Sequence, residues 1–109
     1  MSYSVIALPR FFKDLKKLSK KYSSIKKDMA VLLDSLKKVP DQGTPLGKNC
    51  YKIRLAITSK GKGKSGGARI ITYIQISGST VFLLSIYDKT DKVNLTKKEL
   101  EELLESIPE

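Results

Sequence analysis

An α+β domain built in the order β-α-α-β-β-β-α is what this 109-residue sequence predicts, and three changes of pattern carry the prediction. Apolar residues recur three and four apart through the first third of the chain, as on one face of a helix. After a Gly- and Pro-bearing break at 41–49 the period becomes two, the mark of strands. Beyond Thr96 the helical spacing returns. At roughly 100–150 residues per domain, residues 1–109 make a single domain.

Residues 3–8 read as a short strand that Pro9 ends. Phe11, Phe12, Leu15, Leu18 and Tyr22 then form the apolar stripe of a first helix, with Lys13, Lys16, Lys17, Lys20 and Lys21 largely off it. Ser23 and Ser24 are placed to cap a second helix, whose stripe is Ile25, Met29, Leu32, Leu33 and Leu36. That helix stops near Pro40, and Lys37 and Lys38 suit its negative C-terminal end. Asp41 to Asn49, with Gly43, Pro45 and Gly47, reads as a loop. Tyr51, Ile53, Leu55 and Ile57 alternate with Lys52, Arg54 and Ala56, so Lys52 and Arg54 leave one face of a strand together. Ser59 to Gly67 is a Gly and Lys tract. Ala68 to Ile76 and Val81 to Tyr87 flank the tight turn Ser77-Gly78-Ser79 as a hairpin, with Phe82, Leu84 and Ile86 as core. Thr96 with Glu99 three residues on forms a capping box for a last helix, whose apolar side is Leu100, Leu103, Leu104 and Ile107.

The formal charge is +10 with no His, and it is uneven. Residues 1–95 carry 19 basic and 6 acidic side chains, while residues 96–109 are Glu-rich and sum to −3. So basic a body points to a polyanionic partner, since neutralising phosphates releases counterions. The lysines of the two helices also fit a merely solvated polar face. Without His the usual general base and the commonest metal ligand are missing. A single Cys, Cys50, excludes a disulfide framework and reads as a structural thiol. No apolar run approaches the ~18 residues of a membrane span, and the N-terminus lacks the charged start of a signal peptide. The expected location is the cytoplasm.

The tract Lys60-Gly61-Lys62-Gly63-Lys64-Ser65-Gly66-Gly67 imitates two nucleotide motifs and satisfies neither. A phosphate-binding loop ending in Gly63-Lys64-Ser65 would need its first glycine where Thr58 stands, and a strand follows instead of a helix. Gly61, Gly63 and Gly66 match the dinucleotide spacing but again lack the helix. No nucleotide cofactor is expected. The tract instead offers Lys60, Lys62 and Lys64 to a phosphodiester backbone from a flexible hairpin loop. Lys52, Arg54, Arg69, Tyr87 and Lys89 are the candidates for a basic patch on the sheet.

The stretches Phe12-Lys13-Asp14-Leu15-Lys16-Lys17-Leu18, Cys50-Tyr51-Lys52-Ile53-Arg54-Leu55, Lys62-Gly63-Lys64-Ser65-Gly66-Gly67-Ala68-Arg69-Ile70-Ile71-Thr72-Tyr73 and Ser85-Ile86-Tyr87-Asp88-Lys89 resemble the RelE/ParE superfamily of bacterial toxins, nearest its HigB-like RelE branch. The resemblance spans almost the whole chain. It implies a twisted antiparallel sheet carrying the helical hairpin, with the last helix added. It also implies the toxin of a type II toxin–antitoxin system, a metal-independent endoribonuclease that cuts messenger RNA in the ribosomal A site. The implied partners are the ribosome, mRNA and a cognate antitoxin, expected to contain a helix-turn-helix, through which the complex would sit on operator DNA. Lys52 and Arg54 match the family's basic pair, Arg69 the arginine opening the next strand, and Lys89 the basic position after the last strand. RelE itself has a catalytic tyrosine beyond that position, where Asp91 to Leu104 has none, so the proton-transfer role stays open between Tyr87 and Lys89.

In such a reaction the RNA 2′-hydroxyl attacks the adjacent phosphate, leaving a cyclic phosphate and a 5′-hydroxyl. It needs a base, stabilisation of the phosphoryl oxygens, and an acid at the leaving oxygen. Arg54 and Arg69 suit the phosphate, because a guanidinium stays charged and offers paired donors. Lys52 suits the base, since cationic neighbours disfavour an ammonium. Lys16 and Lys20 join Lys60, Lys62 and Lys64 as candidate RNA contacts. Two alternatives accompany this reading: ParE-like inhibition of DNA gyrase, and a non-catalytic RNA-binding module.

Overall fold

The computed structural model describes residues 2–92 and 94–108. Glu109 of the acidic tail lies outside the described residues. Strand β1 (Ser4–Ala7) leads into helices α1 (Pro9–Lys21) and α2 (Ile25–Lys38), followed by strands β2 (Thr44–Gly47) and β3 (Cys50–Leu55). Strands β4 (Ala68–Gln75) and β5 (Thr80–Asp88) and helix α3 (Lys97–Glu105) complete the chain. The sheet order is β1-β5-β4-β3-β2.

The expected antiparallel sheet is its four-stranded body, β2 to β5. β1 joins the far edge parallel to β5, a direction open to it because the two strands are far apart in the chain and are not joined by a hairpin. The Gly- and Pro-bearing segment read as a loop holds a short edge strand, β2. Its glycine signal marks the reversal, where Gly47, Lys48 and Asn49 all take positive φ (89, 53 and 62°). Pro45 is tolerated because nothing pairs beyond this edge.

Helices α1 and α2 cover one face. Phe11, Leu18, Ile25, Met29, Leu32 and Leu36 pack there on Ile53, Leu55, Ile70, Leu83 and Ile86. Phe12, expected in the α1 stripe, is 61% exposed, because the buried stripe is narrowed to the side meeting β5. Ser24 stands at the N-cap of α2 without capping it. Its hydroxyl donates to Asp28 at 2.9 Å and accepts from the Ser59 amide at 2.8 Å. Helix α3 covers part of the opposite face, its Leu100, Leu103 and Leu104 over Ile71, Phe82 and Leu84. The Thr96–Glu99 capping box is present as the sequence predicts.

One irregularity decides which side chains share that second face. Ile71 pairs with Ser85, but Thr72 pairs with Leu83, so Leu84 is an extra residue in β5. A one-residue bulge moves every later side chain to the other face. Phe82 and Leu84 therefore face α3 while Ile86 faces α1 and α2. Tyr87, which strict alternation would put with Val81 and Leu83, comes round to the face of Arg69.

A candidate phosphate-binding face on the sheet

Across three strands the register sets Arg54 opposite Arg69 and Arg69 opposite Tyr87. Directly opposed residues of antiparallel strands share a face at about 4.5–5.5 Å between Cα atoms. Lys52 stands one pleat away on the same face, opposite Ile71. The patch expected from the sequence therefore has a geometric basis in Lys52, Arg54, Arg69 and Tyr87. Lys89 follows just past β5, its amide donating to Gly67 O at 3.2 Å.

The members differ in exposure. Arg54 is exposed and Lys52 half-buried, whereas Arg69 is only 3% exposed. Its Nη1 donates to the carbonyls of Lys64 (2.9 Å) and Ala68 (3.1 Å), and its Nη2 to that of Ser65 (3.3 Å). These partners are neutral. Burial and then the Arg54 guanidinium disfavour its charged form, against a smaller opposing effect from Tyr87. Two guanidiniums directly opposed, with no carboxylate between them, destabilise the sheet locally. Among the described residues, Lys52, Arg54, Lys64, Arg69 and Lys89 form no ion pair, while Arg10, Lys48, Lys60 and Lys92 each have a carboxylate. An anion on this face would supply the missing countercharge.

Tyr87 lies deeper. Its hydroxyl is enclosed without a hydrogen-bond partner among the described residues, and Lys92 Nζ stands 5.9 Å from its ring centre. Burial raises its pKa above the ordinary tyrosine value, outweighing the lowering by Arg69. It keeps its proton at neutral pH.

The Gly and Lys tract is not the flexible loop its glycines suggest. Two single turns of 3-10 helix form at Thr58–Lys60 and Lys64–Gly66. Asp28 accepts from Thr58 N (2.9 Å) and Oγ1 (2.6 Å) at its start, and Arg69 grips its end. Lys60, expected to contact RNA, is engaged within the fold instead. Its Nζ donates to Asp88 Oδ1 at 2.8 Å, with its side chain 10% exposed, because the wholly buried Asp88 carboxylate needs a counter-ion. Lys62 and Lys64 remain exposed, as do Lys16 and Lys20 on α1.

Sequence reasoning missed Asp88 as a structural centre. Its carboxylate also accepts from Tyr22 Oη at 2.5 Å and Thr90 N at 3.0 Å, which ties α1, the Lys60 turn and the end of β5 together between Tyr87 and Lys89. The available signal was slight, since Asp88 and Asp91 alternate there with Lys89 and Lys92. Cys50 is buried, with its thiol pushed up to about 11 by burial against a small lowering from Lys48, and is inert. Among the described residues, no three His, Cys, Asp or Glu side chains gather where a metal could be held, and no helix is long and apolar enough to cross a membrane.

A family model described as the RelE toxin of the RelE / RelB toxin-antitoxin system matches residues 10–107. Among solved structures, a double-arginine mutant of E. coli toxin RelE in the free state is similar at TM-score 0.67 and 20% identity, over 99% of this chain and 100% of that one. The same mutant with an antitoxin RelBc peptide matches at TM-score 0.52 and 22% identity, over 99% and 100% of the two chains. The intact E. coli RelBE toxin–antitoxin complex matches at TM-score 0.50 and 23% identity, over 80% and 96%. At these identities the structures speak for the fold.

Proposed function

The chain belongs to the RelE toxin family, and from that premise we propose that it is a ribosome-dependent endoribonuclease that cuts mRNA in the A site without a metal. The observation that carries the reading is the uncompensated cationic row. Arg54 and Arg69 are held opposite one another with Lys52 beside them and no carboxylate partner.

Arg54, the exposed guanidinium, contacts the scissile phosphate and stabilises the charge gathering on its oxygens. Arg69 adds its charge from below and holds the Lys64–Ser65 carbonyls. Lys52 takes the 2′-hydroxyl proton. Lys89, half-exposed just past β5, returns a proton to the leaving oxygen; it is the more accessible of the two candidate acids, the Tyr87 hydroxyl being enclosed. These groups lack the near-neutral acidity of His, so alignment of the RNA by the ribosome supplies much of the rate. An antitoxin partner, expected to carry a helix-turn-helix and to bring the complex to operator DNA, is part of the same reading.

The test is mapping of RNA 5′ ends on translating ribosomes, beside a gyrase supercoiling assay. The expected result is 5′-hydroxyl ends formed only with ribosomes. Loss of the Arg54 donor in Arg54→Ala should slow cleavage about 10²- to 10³-fold. Tyr87→Phe should retain cleavage within a few-fold, and Lys89→Ala should not. Inhibited supercoiling without new RNA ends would overturn the proposal in favour of gyrase.

A further inference from the structure

The ends of three strands hold the turn at residues 64–67. From β4, Arg69 donates to the carbonyls of Lys64 (2.9 Å) and Ser65 (3.3 Å). From β3, the Leu55 carbonyl comes so close that a Cβ on Gly67 would stand 2.0 Å from its oxygen. From just past β5, the Lys89 amide donates to Gly67 O at 3.2 Å, and within the turn Gly67 N donates to Lys64 O at 3.3 Å. Gly63, just before it, takes φ 63° and ψ −165°, a combination essentially confined to glycine. The direction in which the chain enters Lys64 is therefore set as well.

The cation that this framework carries is Lys64. It is exposed and, among the described residues, has no carboxylate partner. It lines one hollow with Lys52 and Arg54, and with Arg54 the neighbouring hollow toward α2. Lys62, two residues earlier, is exposed too, but it lines neither hollow, and its carbonyl has only a 3.5 Å bond from the Ser65 hydroxyl. The same charge is thus loosely held at 62 and fixed at 64. A guanidinium buried against neutral carbonyls is costly to desolvate without a counter-ion, and a turn that only joined β3 to β4 would not require one.

We propose that Lys64 is a further phosphate contact, taking the phosphodiester next to the one held at Lys52 and Arg54, and that Arg69 is its positioning residue, acting through the Lys64 and Ser65 carbonyls. This rests on the endoribonuclease reading. It gives Arg69, only 3% exposed, a way to act on RNA that it does not itself need to touch. A phosphate one nucleotide from the cut carries the same charge in substrate and transition state, so Lys64 contributes to binding and not to the chemical step.

Steady-state cleavage of mRNA on programmed ribosomes should be compared for wild type, Lys64→Gln, Lys62→Gln and Gly67→Ala. Lys64→Gln is expected to raise KM about fivefold and keep kcat within about twofold, whereas Lys62→Gln should change KM less than about twofold. Gly67→Ala displaces the turn without removing a charge, and in that background Lys64→Gln should change KM less than about twofold. Amide exchange of β4 and β5 checks that Gly67→Ala is folded; if it is not, Arg69→Lys, which keeps a cation and loses the paired grip, takes its place in the cycle. Equal KM effects at 62 and 64 would refute the proposal. So would a Lys64→Gln effect that persists undiminished once the turn is displaced, or one that falls on kcat alone. If wild type cuts no RNA, the endoribonuclease reading fails, and Lys64 is judged by the Kd for a single-stranded oligouridylate. That Kd should rise about fivefold in Lys64→Gln and less than about twofold in Lys62→Gln, and equal shifts would sink the inference.

Discussion

Asp88 takes no part in the proposed chemistry, yet the site is built around it. Burial alone would raise its pKa, but bonds from Lys60, Tyr22 and Thr90 outweigh that and hold it well below the usual carboxylate range. The folded state therefore keeps Asp88 ionised where the unfolded chain takes up a proton. Its stabilisation is complete above about pH 4, the ordinary carboxylate value, and is lost as pH falls through the depressed folded value. Asp28 acts in the same window, since Thr58 and Ser24 outweigh its burial and lower its pKa too. Asp88→Asn leaves Lys60 enclosed without a countercharge and should cost about 3–5 kcal/mol at neutral pH. The variant should also lose stability less steeply between pH 5 and pH 3, on the order of half the wild-type slope if the two carboxylates share it. Urea melts at several pH values check both outcomes.

Among the elements, the Gly and Lys segment between β3 and β4 departs most from its composition. Glycines and lysines predict mobility, but Thr58, Ser59, Lys60, Lys64 and Ser65 are all bonded to side chains of α2, of Ser24 just before it, or of β4 or β5. That leaves Gly61 to Gly63 as its exposed tip. The anchoring of the first turn could not be read locally, because its partners lie far along the chain: Asp28 is 30 residues from Thr58, Ser24 is 35 from Ser59 and Asp88 is 28 from Lys60. Asp28→Asn removes the charge that holds the first turn and should free it by about 1–3 kcal/mol. The Thr58 and Ser59 amides should then exchange with deuterium about tenfold faster or more, while the β4 and β5 amides keep their protection. Strand β3, by contrast, is legible in the sequence because an alternating run with one buried face states its own register.

At the scale of the whole molecule, the +10 charge is a long-range attraction to a polyanion and says little about where the anion rests. Lys16 and Lys20 are exposed on α1, which contributes nothing to the cationic row on β3 and β4, so they should act through counterion release and not through the reaction. Affinity for single-stranded RNA should fall with salt, with a slope of about −0.7 per neutralised phosphate. The double variant Lys16→Gln, Lys20→Gln should make that slope shallower by about one unit, leaving cleavage on saturated ribosomes unchanged. Filter binding from low to moderate salt measures the slope directly.

By itself the sequence determined the helical hairpin, the three central strands, the capped last helix and the candidacy of Lys52, Arg54 and Arg69, because periodicity, capping and strand alternation are local properties. The bulge at Leu84 that turns Tyr87 toward Arg69, the parallel attachment of β1 and the capture of Lys60 by Asp88 were decided by tertiary structure alone. Each depends on a contact between residues whose meeting no local pattern records, and the last on a buried carboxylate that must find its counter-ion wherever the fold brings one.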